Sequence, residues 1–154
     1  MSISTKSTYS MRAMFELALH YNRGPLSVSY ISRRQRISLP YLEQLLSRLR
    51  RRGLVKSVRG PKGGYMLSKK PKEITVGDVV RALDGNIAPL HCVNGKPFEK
   101  RCKMASCCVI KDVWKRLKKT MDDLLDDITL KDICNDAKKR GIDRIIKHRY
   151  TFHI

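Results

Sequence analysis

Acidic residues are scarce in the first half of this chain, and long apolar runs are missing from all of it. Only 3 Asp and Glu stand among residues 1–75, against 16 Lys and Arg. No stretch of about 18 apolar residues occurs, which excludes a membrane-spanning helix. No short apolar segment behind a basic start marks a secretory signal, so the expected location is the cytoplasm. There is no paired nucleophile and base, and no glycine-rich strand-to-helix turn to cradle a phosphate, which argues against an enzyme. Aromatic residues make up 6% of the chain. None clusters into a stacking platform for unpaired bases, which disfavours an RNA-binding or architectural protein. The paired Cys-x2-Cys knuckles common in zinc modules are also absent.

What is present is positive charge and helical periodicity. The 154 residues hold 33 Lys and Arg against 14 Asp and Glu, a net charge of +19. This excess is larger than solubility requires and points to a polyanionic partner. Composition alone leaves solvated helix faces as an equal reading, so the pattern has to decide. Tyr9, Ala13, Met14, Leu17, Ala18 and Tyr21 recur at helical spacing and predict a first amphipathic helix over residues 9–21. Asn22, Gly24 and Pro25 end it. A second, shorter helix over about 28–36 turns Val28 and Ile31 inward. Ile37 and Ser38 form a turn. Ser38, itself a candidate DNA contact, is suited to cap a third helix over about 39–52, with Pro40 in its first turn and Gly53 just past its end.

That third helix has two faces. Leu39, Leu42, Leu45, Leu46 and Leu49 fall on one arc, and Pro40, Tyr41, Gln44, Ser47, Arg48 and Arg51 on the other. The apolar arc locks the helix into a domain, and the polar arc carries groups that read base edges and phosphates. Glu43 lies at the border. A carboxylate is repelled by phosphates but accepts a hydrogen bond from a cytosine amino group, so Glu43 is a candidate selectivity filter. Pairing with Arg50 or Arg36 is the plainer alternative. Two β-type runs follow, LVKSV at 54–58 and YMLS at 65–68, joined by RGPKGG. A hairpin behind a reading helix makes a winged helix-turn-helix. Arg59, Lys62, Gly63 and Gly64 at its tip are candidate phosphate or minor-groove contacts, against the alternative of an ordinary solvated turn.

Thr75 can cap a fourth helix, VGDVVRALD, which stops at Gly85. Residues 85–107 show no period and read as a long loop. Val109, Ile110, Val113, Trp114, Leu117, Met121, Leu124, Leu125 and Ile128 then form one continuous stripe. A stripe that long needs a partner surface, and a second copy of the chain is the economical choice over folding back on the wing domain. One more short helix covers about 129–137, before a basic tail. The predicted fold is mainly α with a small β-hairpin wing, a winged helix-turn-helix with a long dimerisation helix. Its divisions are a DNA-binding domain at 1–84, a cysteine loop at 85–108, the dimerisation helix and its short successor at 109–138, and the tail at 139–154.

Four of the 5 cysteines, Cys92, Cys102, Cys107 and Cys108, lie in or beside that loop. Cys134 has the spacing of a helix face and is expected to be a packed thiol. Thiols between a DNA-binding unit and a dimer helix could ligate zinc, hold an iron–sulfur cluster, or act directly as a thiol switch. Spacing leaves the three open. Adjacent Cys107 and Cys108 point apart in most backbones, which counts against both binding one metal.

The segments YSMRAM, ISLPYLEQLLSRLRRRGLVKSVRGPKGGYMLS at 37–68, VGDVVRALDG, and the cysteine loop closed by Trp114 carry a family likeness. Through them the sequence resembles the iron–sulfur cluster regulator (IscR) family of bacterial winged-helix repressors, up to about residue 138. The resemblance implies a homodimer on double-stranded operator DNA that controls cluster-assembly and related iron or redox genes. It also implies a [2Fe–2S] cluster held by three loop cysteines and one other ligand. Counting back from Trp114 by the family pattern selects Cys108 and Cys102. Cys92 is then the first ligand, further from Cys102 than the family spacing. Where that family has its histidine ligand this chain has Lys111, whose ammonium cannot ligate iron. The fourth ligand is therefore open among Cys107, His91, a group such as Tyr9 from the N-terminal helix of a partner subunit, and an exogenous ligand. A related nitric-oxide-sensing subgroup holds a [4Fe–4S] cluster with an N-terminal carboxylate, and no Asp or Glu precedes Glu16 here. The runner-up is a related repressor that senses redox state, nitric oxide or a metabolite through its cysteines without a [2Fe–2S] cluster.

Overall fold

The Ser4 hydroxyl accepts a hydrogen bond from the Ser7 amide at 3.3 Å and starts α1 (Thr5–Leu19), earlier than the apolar spacing alone predicts. This is a computed structural model, and it describes residues 3–94, 102 and 107–142. Ala13, Met14, Leu17 and Ala18 of α1 are buried at helical spacing. Asn22 in the left-handed region and Gly24 turn the chain away from it. Ser27 caps α2 (Val28–Gln35), which ends where Arg36 takes φ 52°. After this tight turn α3 (Leu39–Arg51) buries Leu42, Leu45, Leu46 and Leu49, each at most 1% exposed. Two of the residues assigned to α3 behave differently from expectation. Leu39 is 39% exposed because the first residue of the helix projects beyond the core. Ser38 occupies the cap position, but its side chain makes no capping bond. Pro40 in the first turn has removed one of the amides such a cap would serve.

The hairpin is β1 (Val55–Val58) and β2 (Gly64–Leu67), antiparallel, with Val55 opposite Leu67 and Val58 opposite Gly64. Leu26 adds a single bridge on the outer edge of β2, exchanging two hydrogen bonds of 2.9 Å with Tyr65. Thr75 caps α4 (Val76–Asp84), as the sequence predicts, and Asp78 completes a reciprocal cap with it. A 3-10 turn at His91–Val93 lies within the described part of the loop. Beyond it stand α5 (Ile110–Asp127) and α6 (Leu130–Lys139).

The C-terminal elements return to the first domain. The Val76 amide donates to the Ile128 carbonyl at 2.8 Å, and the Leu130 amide to the Ile74 carbonyl at 2.9 Å. Leu130 and Cys134 of α6 thereby join the core built by α1, α3 and α4. Cys134 is a packed thiol, 8% exposed. α5 is tied to α4 by Arg81, which pairs with Asp122 and Asp126, but none of its own residues is buried. Among the described residues, no helix is long and apolar enough to cross a membrane. The C-terminal tail from residue 143 lies outside the described residues.

Candidate DNA interface and cysteine loop

α3 is held by its leucine arc, so its opposite arc is presented outward. Pro40, Glu43, Gln44, Arg48 and Arg51 are exposed, and Ser47 and Tyr41 are half-buried. The Tyr41 ring meets Tyr9 of α1 edge-on, with centroids 6.1 Å apart at 84°. An edge-on pair of this kind ties the reading arc to α1. Glu43 makes no ion pair, among the described residues, with either Arg36 or Arg50. Arg50 instead donates to the Ser57 hydroxyl of β1 at 3.3 Å. Arg59 and Lys62 stand exposed on the wing tip.

Gly63 and Gly64 prove to have a packing reason of their own. A Cβ on Gly63 would lie 2.3 Å from the Val58 carbonyl oxygen, and one on Gly64 would lie 2.2 Å from that of Leu26. Glycine is needed there to close the hairpin and seat it on Leu26, whatever the wing touches.

Sequence reasoning missed the polar network between α1 and α2. Glu16 is 3% exposed and accepts two 3.0 Å bonds from Arg34, whose side chain is 7% exposed, and another from Gln35. Arg12 donates to the Gln35 side chain at 2.8 Å and to its backbone carbonyl. A buried, hydrogen-bonded ion pair fixes register more than it adds stability, and here it fixes α1 against α2. Its sequence signal was a lone acid on the inward face of α1. Arg33 and Arg36, exposed on α2 and its following turn, extend the basic surface beside α3.

Cys92 is half-buried within the turn at His91–Val93, and His91 is exposed. Cys102 is half-buried, Cys107 exposed, and Cys108 half-buried immediately before α5, where its carbonyl accepts from the Lys111 amide at 3.2 Å. None forms a disulfide. Among the described residues, no three His, Cys, Asp or Glu side chains converge on a point that would hold a metal ion. The donor set is nonetheless of the right chemistry for an iron–sulfur cluster, since it consists of cysteine thiols on one short segment. Residues 95–101 and 103–106 between them lie outside the described residues.

The apolar stripe runs along α5 and its approach. Val109, Ile110, Val113 and Leu124 are 83%, 62%, 58% and 59% exposed. Trp114, Met121, Leu125 and Ile128 are half-buried. A contiguous apolar face of this size is uncommon on a lone soluble chain.

Comparison with known proteins agrees with this fold. The family model described as "Rrf2: Iron-dependent Transcriptional regulator" matches residues 3–136. The HTH-type transcriptional regulator IscR of Pectobacterium atrosepticum is 42% identical over 138 residues, spanning 90% of this chain and 82% of that relative. Among solved structures, T. potens IscR is 42% identical with a TM-score of 0.73, covering 91% of this chain and 90% of the other. CymR, the global cysteine regulator of B. subtilis, is 38% identical with a TM-score of 0.72, covering 88% and 97%.

Proposed function

The chain belongs to the Rrf2 family of DNA-binding transcriptional regulators, which are not enzymes, and from that premise we propose that it is a homodimeric repressor whose loop thiols hold an iron–sulfur cluster. The observation that carries this reading is the placement of Cys92, Cys102 and Cys108. They occupy the segment between the DNA-binding unit and a helix whose apolar stripe stays largely exposed among the described residues. Double-stranded operator DNA is the partner of the α3 arc and the wing. Its polar groups Gln44, Ser47, Arg48 and Arg51 read base edges and phosphates, Glu43 filters sequence, and Arg59 and Lys62 supply position-independent affinity. A second copy of the chain covers the α5 stripe, which sets two reading helices at a fixed spacing.

Cys92, Cys102 and Cys108 would be cluster ligands, with Cys107 or His91 as candidates for the fourth. A [2Fe–2S] cluster is favoured over a [4Fe–4S] one. When bound, such a cluster supplies redox- and iron-dependent bonds that draw the loop together. The genes under control would then be those of cluster assembly or related iron and redox functions. A second reading, a thiol or metabolite sensor without a cluster, is favoured by Lys111 at the position of the family's histidine ligand. The likeness to CymR points the same way.

Absorption of protein purified without oxygen decides between them. The cluster reading expects visible charge-transfer bands that single Ala substitutions at Cys92, Cys102 or Cys108 abolish with the fold retained. Cys107→Ala keeping the full spectrum supports the ligand assignment, and loss of colour only at Cys107 overturns it. A colourless wild type refutes the cluster.

A further inference from the structure

Neither DNA contact nor thiol chemistry accounts for the carboxylate of Asp84. It is the last residue of α4, and it closes on the start of α1. The Ser4 amide donates to its Oδ2 at 3.0 Å, the Ser4 hydroxyl to Oδ1, and the Ser7 hydroxyl to Oδ2 at 2.7 Å. Ser7 is 1% exposed, so the clasp reaches into the packing between α1 and α4. Burial pushes the Asp84 pKa up. The bonds from Ser4 and Ser7, with Lys6 nearby, outweigh that and hold the carboxyl below its usual range. It is therefore ionised at neutral pH, and its hydrogen bonds are charge-assisted. Gly85 follows at φ 75° and ψ −154°, a backbone shape that side chains disfavour, so the loop begins directly behind the clasp.

α1 is an uninterrupted 15-residue helix, about 22 Å long. Two residues beyond the clasp, Tyr9 meets Tyr41 of α3 edge-on. Arg12, with its guanidinium 5.5 Å over the Tyr9 ring, binds Gln35 at the end of α2. A single helix thus touches the root of the cysteine loop at one end and both helices of the reading pair along its length.

We propose that Asp84 is a positioning residue for DNA reading: through Ser4 and Ser7 it holds α1, and α1 sets α3 through Tyr9 and Tyr41, so displacement of the loop at Gly85 is felt at the reading arc. The inference rests on DNA binding and not on the identity of whatever the thiols hold.

Simple electrostatics predicts the opposite sign for the decisive variant. Removing an acid from a chain of net charge +19 should strengthen its hold on DNA. The experiment titrates full-length wild type, Asp84→Asn and the double variant Ser4→Ala/Ser7→Ala onto a duplex that wild type selects from a randomised library, over a salt series. Either variant should bind about tenfold more weakly, with the salt slope unchanged because no phosphate contact is lost. Combining all three substitutions should cause no loss beyond that of the serine pair, which also removes the α1 cap, because Asp84 acts only through the two serines. In protein labelled with 3-fluorotyrosine, the Tyr9 and Tyr41 fluorine signals should shift while circular dichroism stays native. Binding by Asp84→Asn as tight as or tighter than wild type overturns the proposal. So does an unmoved Tyr41 signal, or losses at Asp84 and the serines that simply add. Should Asp84→Asn fail to fold, the serine pair decides alone.

Alkylation of the loop thiols with iodoacetamide tests transmission from the loop. Buried Cys134, whose thiol desolvation pushes up to about 11, is spared at neutral pH. Alkylation should change wild-type affinity at least threefold and leave Asp84→Asn nearly unaffected. An equal change in both proteins, or none in wild type, overturns the link to the loop. Whether a cluster is present is read separately, from colour.

Discussion

Gly64 opens β2 at the point where the wing touches the segment between α1 and α2. Its φ of +155° already disfavours a side chain, and an added Cβ would lie 2.2 Å from the Leu26 carbonyl oxygen and 2.9 Å from the Ser27 nitrogen. Both are backbone atoms, so no rotamer change relieves the clash. For Gly64→Ala, the wing must therefore move about an ångström away from Leu26 to restore ordinary contact. That movement breaks the two 2.9 Å hydrogen bonds between Leu26 and Tyr65, worth about 1 kcal/mol each in net terms. Strain at positive φ adds about 1–2 kcal/mol. The total of about 3–4 kcal/mol lies at the large end for a point substitution. For a chain of this size each kcal/mol lowers the melting temperature by about 2–4 °C, so the midpoint should fall by roughly 6–16 °C. DNA affinity should fall with it, since Arg59 and Lys62 ride on the displaced hairpin. Thermal melts by circular dichroism and a titration on operator DNA read the two effects. Gly60→Ala is the comparison, because Gly60 has positive φ but nothing within 4 Å of its Cβ, and it should show the strain alone. A Gly64→Ala protein that melts within about 2 °C of wild type would refute the reasoning.

Other outcomes follow from the remaining surfaces. Arg59→Ala and Lys62→Ala should each weaken DNA binding across all sequences and reduce the salt slope by about one unit per lost phosphate contact; an untouched slope removes the wing from the interface. Glu43→Ala should broaden the sequences bound while leaving the preferred site nearly as tight, because a penalty of about 1–3 kcal/mol at wrong bases is lifted; identical rankings over a randomised library would show that it filters nothing. Leu124 is 59% exposed on the α5 stripe, and Leu124→Glu should yield monomers in analytical ultracentrifugation with the melting curve of the isolated fold retained, whereas a monomeric wild type would refute the pairing. Cys134 is pushed up from 9.0 to about 11 by desolvation, against the opposing charge of Lys138. Its folded pKa lies above its unfolded one, so its contribution is full below pH 9 and is lost as pH rises through 11. The melting temperature of wild type should therefore fall more steeply than that of Cys134→Ala over that range, and parallel profiles would count against a buried thiol.

Elements whose determinants are local were legible in the amino-acid sequence. The leucine spacing of residues 39–49 identified the buried and presented arcs of α3, because a helix of that length brings residues three and four apart onto one face. Thr75 marked the start of α4, and RGPKGG marked the wing turn. The stripe at 109–128 marked a helix with one apolar side, exposed here as its spacing suggested. These features depend on neighbours within a few residues, so a one-dimensional pattern carries them.

Tertiary structure decided whatever depends on distant backbone coming close. Gly63 and Gly64 looked like DNA-facing tip residues, and the approach of the Val58 and Leu26 carbonyls shows why no Cβ fits there. Leu130 and Cys134 belong to the core of the DNA-binding unit although a long loop and α5 intervene, because the Ile74 and Ile128 backbones pair. The buried Glu16 network and the Asp84 clasp join residues 18 to 80 positions apart. Their hydrogen-bonding groups are ordinary surface residues until the fold brings partners to them. Periodicity reports which face of an element is buried, and only the packed chain reports what that face meets.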